Sequence, residues 1–98
     1  MTPKFPLGHI VATPGALHAI CQADQSPALF LDRHAAGDWG DVCDEDKQRN
    51  ERNLIDGKRL LSAYRTLLDT DIVIITTEDR SCSMVMLREE FEYGPCND

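Results

Sequence analysis

The chain reads in two hydrophobic periods. Its first part places apolar residues at helical spacings, and its last third alternates them or runs them together. His9–Thr13 is a short β-branched run and predicts a strand. Thr13-Pro14 then marks a helix start, with a hydroxyl at the N-cap and a Pro at N1, where the missing N–H is not needed. Ala16, Leu17 and Ile20 carry that helix to about Gln22. Ser26-Pro27 repeats the signal. Ala28, Leu31 and Ala35 share one face with Phe30 and His34 beside it, and Gly37 stands where a left-handed C′ residue closes the helix. Asp44-Glu45-Asp46 suits the first turn of a third helix, which runs to about Asp56 and stops at Gly57. This helix is polar. Leu54 and Ile55 are its only large apolar residues, so it should lie on the surface, anchored at its C-terminal end, with Glu45 and Arg49 as an i,i+4 pair.

Arg59–Thr66, Asp71–Thr77 and Cys82–Arg88 read as three strands, separated by the turn signals Asp69-Thr-Asp71 and Asp79-Arg-Ser81. Ile72-Val-Ile-Ile75 is apolar throughout, as in a strand covered on both faces. The expected fold is α+β. A small antiparallel sheet, a three-stranded C-terminal meander joined by the N-terminal strand, carries about three helices packed on one face. Its second apolar face suggests cover by another subunit, as in a homodimer. Residues 1–98 form one domain, with 1–8 and 94–98 irregular and the tail fraying after Tyr93.

Composition narrows the partners. The net charge is −7, from 17 acidic and 10 basic residues, which disfavours general nucleic-acid binding because that affinity depends on Lys and Arg neutralising phosphates. Lys47, Arg49, Arg52, Lys58 and Arg59 interrupt the acids, so a one-sided acidic mimic is also disfavoured. The apolar runs are too short to span a bilayer, and the N-terminus lacks a signal-like apolar segment, which together predict a cytoplasmic protein. Cys21, Cys43, Cys82 and Cys96 form no C-x2-C pair and read as four independent thiols.

No cofactor is implied. Asp38, Asp41, Asp44 and Asp46 resemble a metal loop only superficially: an EF-hand counted from Asp44 would need Gly where Arg49 stands, so no metal is expected. The stretch Arg33-His-Ala-Ala-Gly-Asp-Trp-Gly-Asp41 holds the single Trp between two glycines. Trp39 can cap the core or serve as an interface anchor beside Arg, and the core cap is the preferred reading of the side chain. Arg33 and His34 have a structural account too, as positive charge at a helix C-terminus.

Leu7–Leu17, Arg33–Asp41, Leu60-Leu-Ser-Ala-Tyr-Arg65 and Ile75-Thr-Thr-Glu-Asp-Arg80 together resemble a family of short uncharacterised bacterial proteins. These are found on plasmids and integrated elements under labels such as "plasmid-related protein", sometimes with a restriction-system name. The similarity covers about residues 5–93, and the Gly-Asp-Trp-Gly-Asp block is its most specific part. Leu87-Arg-Glu-Glu-Phe91 departs from the family's Leu-Pro-Glu-Glu-Tyr ending. The resemblance implies a bacterial accessory protein and supplies no mechanism. A restriction-enzyme role finds no nucleotide-binding loop or methyltransferase motif here.

Two functions follow as expectations. One is an interaction module of a mobile element, binding a protein partner through the Trp39 loop with Arg33, His34, Asp38, Trp39, Asp41 and Arg80. The other is a small phosphodiester-cleaving, ribonuclease-like enzyme using His34, Asp38 and Arg80, drawn from a wider set that includes Tyr64, Arg65 and Asp79. Catalysis requires His34, Asp38 and Arg80 to line one concavity.

Overall fold

Thr13 and Ser26 each start a helix as their context predicts. In the computed structural model, which describes residues 3–91, Thr13 Oγ1 accepts the Ala16 N–H at 3.1 Å and Ser26 Oγ accepts the Ala28 N–H at 3.3 Å. The elements are β1 (His9–Ala12), α1 (Pro14–Gln22), α2 (Pro27–Ala35), α3 (Asp44–Asp56), β2 (Leu60–Arg65), β3 (Asp71–Thr76) and β4 (Cys82–Leu87), followed by a 3-10 turn at Arg88–Glu90. Gly37 and Gly57 adopt the left-handed conformation expected after α2 and α3, with φ of 84° and 70°.

The fold is α+β, and its sheet is mixed. The strand order is β1-β4-β3-β2. β2, β3 and β4 form the antiparallel meander, whereas β1 pairs with β4 in parallel, in the register His9 to Cys82 through Ala12 to Val85. The connection explains the difference from an all-antiparallel sheet. The chain crosses from β1 through three helices to the far edge, and parallel strands need such a crossover.

One face of the sheet presents Tyr64, Ile72, Ile74 and Val85, which bury Ala16 and Ile20 of α1 and Phe30 and Leu31 of α2. The opposite face carries Val73, Ile75 and Met86, with Leu61 and Phe91 packed against them. Helix α3 meets the sheet at its β2 margin rather than lying over the face. Leu54 packs near Trp39, Val42 and Leu60, while Ile55 remains 85% exposed. Polar contacts do the rest of the anchoring: Asn50 bonds to Leu61, and Asn53 Nδ2 donates to the Arg59 carbonyl at 2.8 Å. Arg49 pairs with the buried Asp46 at 2.8 Å, so the partner one turn back is i−3 and not the Glu45 expected from spacing.

The lead-in before β1 has no regular structure, yet it is packed. Lys4 N–H donates to the Ala35 carbonyl at 2.7 Å and Phe5 is buried. The expectation of four independent thiols fails at Cys43, which is disulfide-bonded, while Cys21 and Cys82 are free. The expected fraying after Tyr93 lies outside the described residues. No helix is long and apolar enough to cross a membrane among the described residues.

Candidate functional site

His34 occupies the last turn of α2, and the helix aims it inward. It is fully buried, its ring edge-on to Phe5 at 5.2 Å and to Trp39 at 5.7 Å. Both nitrogens are engaged. Nδ1 meets Ser62 Oγ on β2, and Nε2 meets Thr76 Oγ1 on β3 at 2.8 Å. Thr76 Oγ1 lies 2.8 Å from Ser83 Oγ on β4, which donates to the Leu7 carbonyl at 2.7 Å. That carbonyl can only accept, so the direction of the whole chain follows. Ser83 spends its proton on Leu7 and must accept from Thr76, which must accept from His34 Nε2–H, leaving Nδ1 to accept from Ser62. The arrangement is complete only for a neutral imidazole. Burial first, and the nearby Arg80 charge second, push the His34 pKa down to about 3. His34 is therefore not the positive charge at the α2 C-terminus that its position suggests.

Trp39 is likewise internal. It is 4% exposed, stacks with Phe5 at 6.3 Å, and its Nε1–H donates to Glu51 of α3 at 2.8 Å. The flanking backbone is fastened to the β2 edge: Ala63 N–H donates to the Trp39 carbonyl at 3.2 Å, and Asp41 N–H donates to the Ala63 carbonyl at 2.7 Å. Gly40 sits between them at φ 75°, where a Cβ would fall 2.0 Å from the Ala63 oxygen. The Tyr64 hydroxyl donates to the Asp38 carbonyl at 2.6 Å. Only Gly allows the loop to lie this close to the strand.

Three expected site residues do reach the surface around this loop. Arg33 Nε donates to Asp38 Oδ2 at 2.7 Å, with the side chains 39% and 47% exposed, and Asp41 is exposed. The Arg33 guanidinium also lies 4.6 Å from the Tyr64 ring centroid. Its hydrogen bond holds the Asp38 carboxyl below the usual carboxylate range.

No family model, curated protein or solved structure matches the chain.

Arg80 does not join the loop surface. It is half-buried with φ 61°, and it donates to the carbonyls of Lys58 at 2.6 Å, Thr77 at 2.9 Å and Asn53 at 3.1 Å, tying the end of α3 to the β3–β4 turn. His34 and Arg80 both lie against the Phe5 ring, Arg80 with its guanidinium 5.7 Å from the ring centroid, but their polar groups bond to different partners, and Asp38 faces Arg33 instead. Among the described residues, a cavity of about 350 Å³ is lined by Arg59, Thr77 and Glu78, and a smaller one by Asp46, Arg49, Asn50, Asn53, Arg59 and Leu61. Neither takes in His34, Asp38 or Arg80, so the concavity that phosphodiester cleavage requires is not formed by these three. Of the wider set, Tyr64 is buried under Arg33, Arg65 pairs with Asp71 at 3.0 Å, and Asp79 accepts from Thr77 and Ser81 within its own turn.

Sequence reasoning missed Phe5, Ser62, Thr76 and Ser83. Phe5 stands between prolines in a stretch without periodicity. The three hydroxyls occupy inward positions of otherwise apolar strands, and that polar-in-apolar placement was the available signal.

Proposed function

We propose that the protein is a small protein-binding module, whose contact surface is the charged rim of the Trp39 loop: Arg33, Asp38 and Asp41. The supporting observation is how firmly the loop is held from within. Trp39 is pinned in the core, both neighbouring backbone groups are bonded to Ala63, and the Asp38 carbonyl is bonded to Tyr64, while Asp38 and Asp41 are exposed and Arg33 is half-exposed. A surface ordered before binding loses little entropy when a partner arrives. In this reading Trp39 and His34 shape the surface without touching the partner, and Arg80 braces it from behind. The resemblance to proteins of plasmids and integrated elements supports an accessory role in a mobile element.

The test is affinity capture from a bacterial lysate after nuclease treatment, comparing wild type with an Arg33→Glu, Asp41→Lys double variant of unchanged thermal stability. Retention of one protein by the wild type and its loss from the variant is the expected result. Equal capture by both, or capture of nucleic acid alone, overturns the proposal.

A further inference from the structure

The two edges of the sheet are treated differently. At the β2 edge, the outward backbone groups of Leu61 and Ala63 are all bonded, to Asn50 and to the Trp39–Asp41 segment. At the β1 edge they are open. His9 N–H and Thr13 N–H donate to Ser81 and Val85, so the odd positions face β4 and the N–H and C=O of Ile10 and Ala12 point away from the sheet. No hydrogen bond reaches these four groups among the described residues. β1 is short, at four residues, but it holds no Lys, Pro or bulge to turn a neighbouring strand away. Two of its four side chains are apolar and exposed, Ile10 at 48% and Val11 at 41%, and Met84 of β4, beside Val11, is 37% exposed.

We infer that β1 pairs antiparallel with β1 of a second copy, about a two-fold axis at Val11, joining two four-stranded sheets into one of eight strands. The register follows from which groups point outward. Ile10 and Ala12 of one copy exchange N–H···O=C bonds with Ala12 and Ile10 of the other, and Val11 faces Val11 as a close, non-hydrogen-bonded pair. Val11 then extends the apolar surface of Met84 across the axis. At the ends His9 lies opposite Thr13, whose hydroxyl donates to Glu90 at 2.7 Å, so an imidazole comes near a carboxylate twice.

Charge permits a second copy at this edge, and the outward groups of Ile10 and Ala12 are self-complementary about Val11. Neither β1 nor β4 carries an acidic residue, and the nearest carboxylates, Glu90 on Thr13 and Asp79 on Ser81, stand at the ends of the edge, so two copies of a −7 chain can meet at Val11 without like charges facing each other across the axis. The surface is separate from the Trp39 loop, and this inference does not rest on the function proposed for that loop.

Sedimentation velocity across low-micromolar to millimolar concentration, with amide exchange read residue by residue, tests the pairing. The wild type should move from 11.0 kDa toward twice that mass, with the Ile10 and Ala12 amides becoming protected as it does. Ile10→Pro removes an outward donor and leaves the β1–β4 ladder intact, and Val11→Lys places charge at the axis. Both should remain monomeric with unchanged circular dichroism, whereas Leu67→Lys, at another exposed apolar site, should dimerise as the wild type does. A wild type that stays monomeric at millimolar concentration overturns the inference. So does a dimer whose Ile10 and Ala12 amides stay unprotected, or one that survives in folded Ile10→Pro and Val11→Lys.

Discussion

Asn50 of α3 and Leu61 of β2 exchange a reciprocal pair of hydrogen bonds. Asn50 Nδ2 donates to the Leu61 carbonyl at 2.6 Å, and the Leu61 N–H donates to Asn50 Oδ1 at 3.1 Å. The side-chain amide thereby stands in for one residue of a neighbouring strand. It explains how a helix with almost no apolar face docks on a sheet, and why that edge is closed to further strands.

Asn50→Ala should lower stability by about 1–3 kcal/mol, because two backbone groups lose their partners. Urea unfolding measures the loss. Asn50→Asp, which can accept but not donate, should cost as much or more, and the Leu61 amide should exchange faster in Asn50→Ala.

Trp39 offers a direct optical test, since it is the single Trp. Native emission should be blue-shifted and poorly quenched by iodide, shifting red on unfolding. Trp39→Ala should cost about 3–5 kcal/mol by leaving a cavity between Phe5 and Val42. Red-shifted native emission would contradict the internal position of the ring.

The buried polar chain predicts a tautomer. The nitrogen chemical shifts of His34 should show a neutral imidazole carrying its proton on Nε2, persisting well below pH 6. His34→Leu should destabilise the fold by about 1–3 kcal/mol, since Ser62 and Thr76 then lose a buried partner. An Nδ1–H tautomer would reverse the derived direction of the chain.

Acid should weaken the fold through the same residue. The folded pKa is pushed down to about 3 from the ordinary 6.5, so between those values the unfolded chain binds a proton that the folded one excludes. The stabilising contribution is complete above about pH 6.5 and falls with decreasing pH, by up to about 1.4 kcal/mol per unit. Asp38, held low by Arg33, adds a smaller loss only nearer its own range. Urea midpoints measured from pH 7 to 4.5 should fall in the wild type and fall less steeply in His34→Gln.

Gly40→Ala should cost several kcal/mol, because the added carbon meets the Ala63 carbonyl and forces Trp39 and Asp41 away from β2. The measurable sign is faster exchange at the Ala63 and Asp41 amides.

The local elements were legible because their causes are local. Thr13-Pro14, Ser26-Pro27, Gly37 and Gly57 punctuate helices through groups a few residues apart, and the continuous apolar run at Ile72–Ile75 marks a central strand wherever it is placed. The Gly-flanked Trp39 could be recognised as a built loop, and its side chain as a core cap. The roles of the surrounding residues could not. His34 and Arg33 are adjacent in sequence, yet one is fully buried and the other half in water, because helix rotation separates them and only the position of the sheet decides which side is inside.

Sequence alone therefore determined the α+β class, the order of the elements and the residues that begin and end them. Tertiary structure decided the rest: the parallel placement of β1 on β4, the passage of hydrogen bonds from Ser62 through His34 to Leu7, the use of Arg80 as a brace, and the unequal treatment of the two sheet edges. Each of these joins residues far apart along the chain, as when Ser83 reaches Leu7. A hydrophobic pattern reports which face of an element is apolar, and it carries no record of which distant polar group will meet a hydroxyl on that face.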